Sequence, residues 1–199
     1  MPRGPDRAAA RPSYGGDHAA YESVCPPRGR RPSVATVGNR GSASVLRRMV
    51  AADVPAVLDV QERGSVQALS SVFPQDRYPF PRDDVAARWR QEVADPRIDC
   101  FVVLHHDGVA GFAATRGDEF LHFGIAVESW GSGLAVIAHD AVLEHLRAQG
   151  LQHIWLRVFT GNGRARRFYE KHRWVATNDR SVSTFVPHPE LMHYERNLG

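Results

Sequence analysis

The sequence predicts a mixed α/β (α+β) domain built on a mostly antiparallel central sheet, and three observations carry that expectation. The apolar period is helical over two early segments. It changes to strand-like runs joined by an Asp-Gly turn in the middle of the chain. It then alternates between helix and strand to the C-terminus. In order the elements read β-α-α-β-β-β-α-β-α-β-β, without an internal repeat. A chain of 199 residues with 43% hydrophobic content has enough apolar surface for one domain with its own core.

Residues 1–44 are rich in Pro, Gly, Arg, Ser and Ala and show no hydrophobic period, so they are expected to be a disordered tail ahead of a domain at 45–199. Val45 to Met49 reads as a short first strand, and Ala52-Asp53 as the cap of a helix from about Val54 to Leu69 whose apolar positions are Val54, Val57, Leu58 and Val60. Three prolines between Phe73 and Pro81 impose a loop. A second helix runs from about Asp83 to Val93, with Val85, Trp89 and Val93 on one face.

Ile98 to His105 and Val109 to Thr115 are apolar runs separated by His106-Asp107-Gly108, a hairpin signal, and Glu119 to Val127 continues as a third antiparallel strand. A helix follows the turn at Trp130 to Ala135, placing Leu134, Ala138, Ala141, Val142 and Leu146 on one face, and Gly150 ends it. Ile154, Leu156 and Val158 alternate as a fifth strand. A last helix covers Gly163 to Lys171, and two short strands lie near Trp174 to Ala176 and Leu191 to Arg196.

Composition narrows the function classes. No apolar run reaches the roughly 20 residues of a membrane span, and the first 30 residues carry no apolar core of a secretory signal, so the expected compartment is the cytoplasm. Cys25 and Cys100 have neither a disulfide framework nor a metal-ligand spacing. The net charge of +3 divides unevenly: seven Arg against three acids give residues 1–44 a charge of +4 and leave residues 45–199 at −1. The domain itself is therefore not a basic nucleic-acid surface, and 24 Arg against the single Lys171 reflects genome composition rather than phosphate recognition. His105-His106 beside Asp107 has the composition of a metal cluster, but neighbouring strand residues face opposite ways, so it is read as a hairpin end and no metal is expected.

The strand-to-helix junction Trp130-Gly-Ser-Gly-Leu-Ala135 is where an anion would bind. A helix start leaves backbone N–H groups unpaired under a positive dipole end, and Gly131 and Gly133 permit positive φ and a close ligand approach. It is not a dinucleotide fingerprint, since the third glycine would fall on Val136, and it lacks the Lys of a P-loop. Downstream lies Leu156-Arg-Val-Phe-Thr-Gly-Asn162-Gly-Arg-Ala165-Arg-Arg-Phe-Tyr169-Glu-Lys-His-Arg-Trp174.

With these two segments the chain resembles the GNAT superfamily of N-acetyltransferases over about residues 45 to 198. That family has a pyrophosphate turn of the form Gln/Arg-x-x-Gly-x-Gly/Ala, then Val-x-x-x-Asn-x-x-Ala-x-x-x-Tyr-x-x-x-Gly-Phe. Gly133 and Ala135 fill the turn, and Val158, Asn162, Ala165 and Tyr169 fall in register. Trp130 stands where the family has Gln or Arg, and Arg173-Trp174 replaces Gly-Phe.

The resemblance implies a GNAT-like sheet with helices on both faces and acetyl-CoA as co-substrate. The strand at Ile125, Ala126 and Val127 is expected to splay and pair with the pantetheine arm. Trp130, Gly131, Ser132, Gly133, Leu134 and Ala135 would form the pyrophosphate clamp, with Asn162 binding cofactor or capping the last helix. Tyr169 is expected to protonate the leaving thiolate. Glu119 is the first candidate for the base, sharing a face with Leu121, Phe123 and Ile125 by strand alternation, with His122 as the runner-up. Tyr78 and Phe80 are the acceptor-pocket candidates.

The expected activity is direct acetyl transfer to a primary amine, of a small molecule in first place and of a protein or peptide in second, by a monomer or homodimer that engages neither nucleic acid nor membrane. A degenerate fold that binds acyl-CoA as a sensor, without turnover, is the alternative.

Overall fold

The computed structural model describes residues 45–106 and 108–199. The expectation of a disordered tail at 1–44 lies outside the described residues, as does Asp107 of the hairpin turn.

The element order agrees with the sequence reading. The strands are β1 (Leu46–Arg48), β2 (Ile98–His105), β3 (Gly108–Arg116), β4 (Glu119–Ile125), β5 (His153–Phe159), β6 (Val175–Val182) and β7 (Glu190–Asn197). The helices are α1 (Val54–Ala68), α2 (Arg82–Ala94), α3 (Leu134–Ala148) and α4 (Gly163–Lys171). They form one seven-stranded sheet in the order β1-β2-β3-β4-β5-β7-β6. All neighbours are antiparallel except β4 and β5. Parallel neighbours need a crossover rather than a tight turn, and α3 supplies it.

Strand alternation divides the core between the two faces of the sheet. Cys100 and Val102 of β2 pack with Val54, Val57, Leu58 and Val60 of α1 and with Val85 and Trp89 of α2. Phe101, between them, packs with Val142, Leu143 and Leu146 of α3, Ile154, Leu156 and Val158 of β5, and Tyr169 of α4. Helices thus cover both faces, because each strand alternates apolar residues up and down. Cys100 is a buried free thiol whose pKa burial pushes up to about 12, an inert core residue rather than a nucleophile.

Three boundaries differ from the sequence reading. Asp53 does not cap α1 through its side chain. Its carboxylate accepts the Val50 N–H at 2.8 Å and binds Arg47 at 2.8 Å, which closes a short 3₁₀ turn ahead of the helix. β4 ends at Ile125 rather than Val127, because Val127–Ser129 turns into a 3₁₀ segment. β6 runs on through Asn178-Asp179-Arg180 to Val182, well past Ala176. It is the sheet edge and mostly exposed, and a strand exposed there leaves no apolar alternation to read.

His139 of α3 is fully buried. Its Nε2 accepts the Trp174 Nε1–H at 3.0 Å and its Nδ1 meets Asp140 Oδ1 at 2.9 Å, which ties α3 to the residue before β6. Burial, the main cause, lowers its pKa to about 4. A free histidine takes up a proton near pH 6.5, whereas native His139 resists until about 4, so its contribution to stability is full above 6.5 and is lost as pH falls toward 4. Urea denaturation at pH 7.5 and 4.5 measures the effect. The loss of unfolding free energy on acidification should be about 2 to 3 kcal/mol larger for the native chain than for His139→Gln, and equal losses would contradict this role.

Candidate active site at the gap between the parallel strands

The parallel strands meet at a single register point, Glu119 with Trp155, supported by the Trp155 N–H to Asp118 carbonyl bond at 3.1 Å. β5 instead pairs with β7 over seven positions, and β4 pairs with β3 as far as Ile125. Beyond Glu119 the facing edges of β4 and β5 are open to each other. The splay expected near Ile125 is therefore a feature of the fold.

At the end of that gap stands the Gly-rich turn. Gly131 has φ 82° and Gly133 φ 88°, so both positions require the left-handed region, and no atom lies within 4 Å of where a Cβ would project. The Ser132 hydroxyl donates to the Ser129 carbonyl at 2.8 Å and accepts the Leu134 N–H at 3.2 Å. The N–H groups of Gly131, Gly133 and Ala135 have no hydrogen-bond partner among the described residues. Three unpartnered donors at the start of a 15-residue helix suit an anion such as a diphosphate.

Trp130 has two tasks that its identity alone did not reveal. Its Nε1–H donates to the Ile125 carbonyl at 2.9 Å, so one of the groups expected to meet a pantetheine amide is already engaged. Its ring carries the Arg164 guanidinium 3.9 Å from the centroid. Arg164, exposed in the first turn of α4, thereby stands at the turn that has no Gln or Arg of its own. The sequence reading missed it, because nothing local links residues 34 positions apart.

Asn162 caps α4, its Oδ1 accepting the Ala165 N–H at 3.1 Å. Tyr169 is buried against Phe168, Trp174 and Tyr194. Burial raises its pKa above the usual phenol value, and its hydroxyl has no hydrogen-bond partner among the described residues. It is thus a protonated, unspent donor.

The sequence profile of the Acetyltransferase (GNAT) family matches residues 65–173, more than half of the chain. The chain belongs to the GNAT acetyltransferase family. It is an N-acetyltransferase by family and by fold, and the fold of that family uses acetyl-CoA. No curated protein sequence matches it. Among solved structures it is similar to a ribosomal-protein-alanine N-acetyltransferase from Escherichia coli, at 16% identity and TM-score 0.58, covering 77% of this chain and 93% of that one. It is also similar to a spermidine N-acetyltransferase chimera from Vibrio cholerae, at 17% identity and TM-score 0.59, covering 77% and 94%. A third is a PaiA N-acetyltransferase from Thermoplasma acidophilum in complex with coenzyme A, at 12% identity and TM-score 0.55, covering 76% and 98%. At these identities the likeness is one of fold.

In this acetyltransferase Glu119 does not hold the position expected of a free base. It is neither solvated nor unpaired. At 2% exposure, one carboxylate oxygen takes Arg116 at 2.6 Å and the other takes Arg157 at 2.6 Å. The face assignment also changes. β3 pairs Ala114 with His122 and Thr115 with Phe120, so Leu121 is a bulge that breaks the alternation. Glu119 therefore does not share a face with Phe123 and Ile125. Those two pack toward α3, and Glu119 meets Arg157, a β5 residue between the core-facing Leu156 and Val158. A one-residue insertion of this kind leaves no mark in the hydrophobic pattern.

His122 lies under α2, its Nε2 at 2.9 and 3.0 Å from the two Glu92 oxygens and its ring edge-on to Trp89. Burial is the largest influence on it and lowers its pKa, so the imidazole is neutral at pH 7. Its Nδ1 has no hydrogen-bond partner among the described residues. Of the two acceptor-pocket candidates, Phe80 packs against the α1/α2 core and Tyr78 is half-buried in the preceding loop. No cluster that could hold a metal occurs among the described residues.

The geometry makes Glu119 a strut. Glu119→Gln would leave Arg157 without its carboxylate, and urea denaturation should show a loss of about 2 to 3 kcal/mol in unfolding free energy. Native stability with turnover cut about a hundredfold would instead return Glu119 to the role of base.

Proposed function

We propose that the chain transfers the acetyl group of acetyl-CoA to the primary amine of a small molecule, by direct attack within a ternary complex. The observation that carries this reading is the combination of three unpartnered backbone donors at the α3 start, an open β4 edge and, on α4, the unspent Tyr169 hydroxyl. When bound, acetyl-CoA supplies a thioester acyl group.

Gly131, Gly133 and Ala135 hold the pyrophosphate with backbone N–H groups, Ser132 and Leu134 shape the turn through their own hydrogen bonds, and Arg164, braced on Trp130, provides the charged donor that the turn lacks. Val127 presents its N–H to the pantetheine arm, while Ala126 and Ile125 offer less, since the Ala126 N–H and carbonyl are bonded to Ala110 and Ser129 and the Ile125 carbonyl serves Trp130. Asn162 orients α4 by capping it, which aims Tyr169 at the gap. Tyr169 donates its proton to the departing thiolate.

The acceptor must arrive as a neutral amine, although a free alkylammonium has a pKa of about 10.4. We assign proton removal to His122, whose neutral imidazole is oriented by Glu92, and leave Glu119 as the strut. Such general catalysis is worth ~10² to 10⁴-fold. The acceptors in the names of two fold neighbours, spermidine and a ribosomal-protein alanine, differ, so fold alone does not choose. A small acceptor is favoured by the β6–β7 connection, where Phe185 packs into the α1/α2 core and narrows the approach beside α2. A cytoplasmic location belongs to the same proposal.

The test is release of free CoA thiol from acetyl-CoA with a panel of amines. Turnover is expected with at least one small amine, and Tyr169→Phe should lower kcat by about tenfold or more while leaving acetyl-CoA affinity within about twofold. Thermal stabilisation by acetyl-CoA without thiol release for any amine would make the protein an acyl-CoA sensor instead.

A further inference from the structure

Arg88 of α2 has no function in the scheme above, and it is a costly residue to leave idle. Its side chain is 31% exposed, and its Nε is buried without a hydrogen-bond partner. The nearest carboxylate, Glu92 Oε1, stands 3.8 Å away, beyond hydrogen-bond reach, and both Glu92 oxygens are held by His122 instead. No nitrogen of the guanidinium is hydrogen-bonded to a described residue. Burial lowers its pKa, and the Glu92 charge at 3.8 Å only partly offsets that cost.

The group is nevertheless firmly placed. Its guanidinium carbon sits 5.1 Å from the centroid of the Phe185 ring. Phe185 belongs to the β6–β7 connection, which is braced by the Ser183 N–H to Pro189 carbonyl bond at 3.0 Å, the Phe185 N–H to Ser183 Oγ bond at 3.1 Å and the His188 N–H to Phe185 carbonyl bond at 2.7 Å. Stacking on an aromatic ring fixes the plane of a guanidinium and leaves its edge N–H groups free as a fork.

The charges around this side of the gap do not balance. Arg88, Arg116 and Arg157 accompany Glu92 and Glu119, Asp95 near Arg116 is already held by Arg97 at 2.8 Å, and burial keeps His122 neutral. Arg116 and Arg157 share one carboxylate, so one positive charge is left over, and Arg88 is the guanidinium without a hydrogen-bonded anion. Arg88 lies one helical turn from Glu92, and its guanidinium Nε stands 3.8 Å from the carboxylate that orients His122. That spacing suits a molecule whose amine and anionic group lie a few bonds apart.

We propose that the acceptor amine carries an oxyanion, a carboxylate in first place, and that the Arg88 fork stacked on Phe185 is the specificity determinant that binds it. This rests on the reading of the gap as the site of acetyl transfer. Arg88 acts by binding: its bidentate bonds hold the acceptor with the amine toward His122, and it takes no part in proton transfer. A polyamine would bring more positive charge to a site that already has an excess.

Thiol release from acetyl-CoA is measured with the full chain for matched acceptors: amino acids against their primary carboxamides, phosphoethanolamine against ethanolamine, and spermidine. The expected result is a kcat/KM for the best amino acid about 10- to 100-fold above that of its carboxamide, carried mainly by KM. In Arg88→Gln the ratio should collapse to within about threefold, and Arg88→Lys should restore only part of it. Preference for phosphoethanolamine over ethanolamine with the same Arg88 dependence supports the oxyanion site with phosphate as its anion. Turnover that favours spermidine or carboxamides overturns this proposal while leaving the transferase reading intact. Absence of thiol release with every amine overturns both. The wild-type ratios decide the matter even where Arg88→Gln fails to fold.

Discussion

The arrangement depends on one carboxylate. Glu119 stands at the only point where β4 and β5 are paired, with one oxygen on Arg116 of β3 and the other on Arg157 of β5. On one side of it the sheet is β1 to β4, and on the other it is β5, β7 and β6. A longer ladder would close the strands along their length and leave no edge for a ligand. A weaker tie would leave the halves joined chiefly by α3 and by side-chain packing. A buried carboxylate paired with two guanidinium groups on separate strands fixes the junction without extending it, and this geometry is demanding because the carboxylate has given up water.

The rest of the site follows from that junction. Because β4 leaves β5 after Glu119, the chain can turn through Val127–Ser129 and present the N-terminal end of α3 at the mouth of the gap. Because β5 is free of β4 there, its hydrogen bonds go to β7, and α4 packs across the same face with Tyr169 directed into the core beside the opening. The bulge at Leu121 sends Phe123 and Ile125 toward α3 and His122 toward α2. The two faces of one strand thus serve two proposed purposes: one lines the path of the cofactor, and the other bears the group that acts on the acceptor.

Most of the fold was legible in the sequence, since periodicity reports which face of an element is buried. The valines of α1, the alternating Ile154, Leu156 and Val158 of β5, and the Asn162 cap of α4 all follow directly from that logic. The polar half of β6 was silent because an edge strand buries little. The turn at Gly131 to Ala135 was also legible, because only glycine tolerates the φ values found there. The roles of Glu119, Trp130 and Arg88 were not. Each depends on a partner distant in the chain, namely Arg157, Arg164 and Phe185, and on a bulge that shifts register by one residue. Local pattern specifies which face is apolar, but long-range pairing decides which charges are spent.

The central claim is that the backbone at the α3 start is an anion clamp beside a strand edge held open at Glu119. The most direct measurement is the backbone amide spectrum of the isotopically labelled protein titrated with CoA. The amides of Gly131, Gly133 and Ala135 should shift together on saturation and become protected from solvent exchange, because a diphosphate would satisfy donors that now have no partner. Saturable CoA binding that leaves these three amides unmoved, with shifts confined to another face of the sheet, would contradict the account.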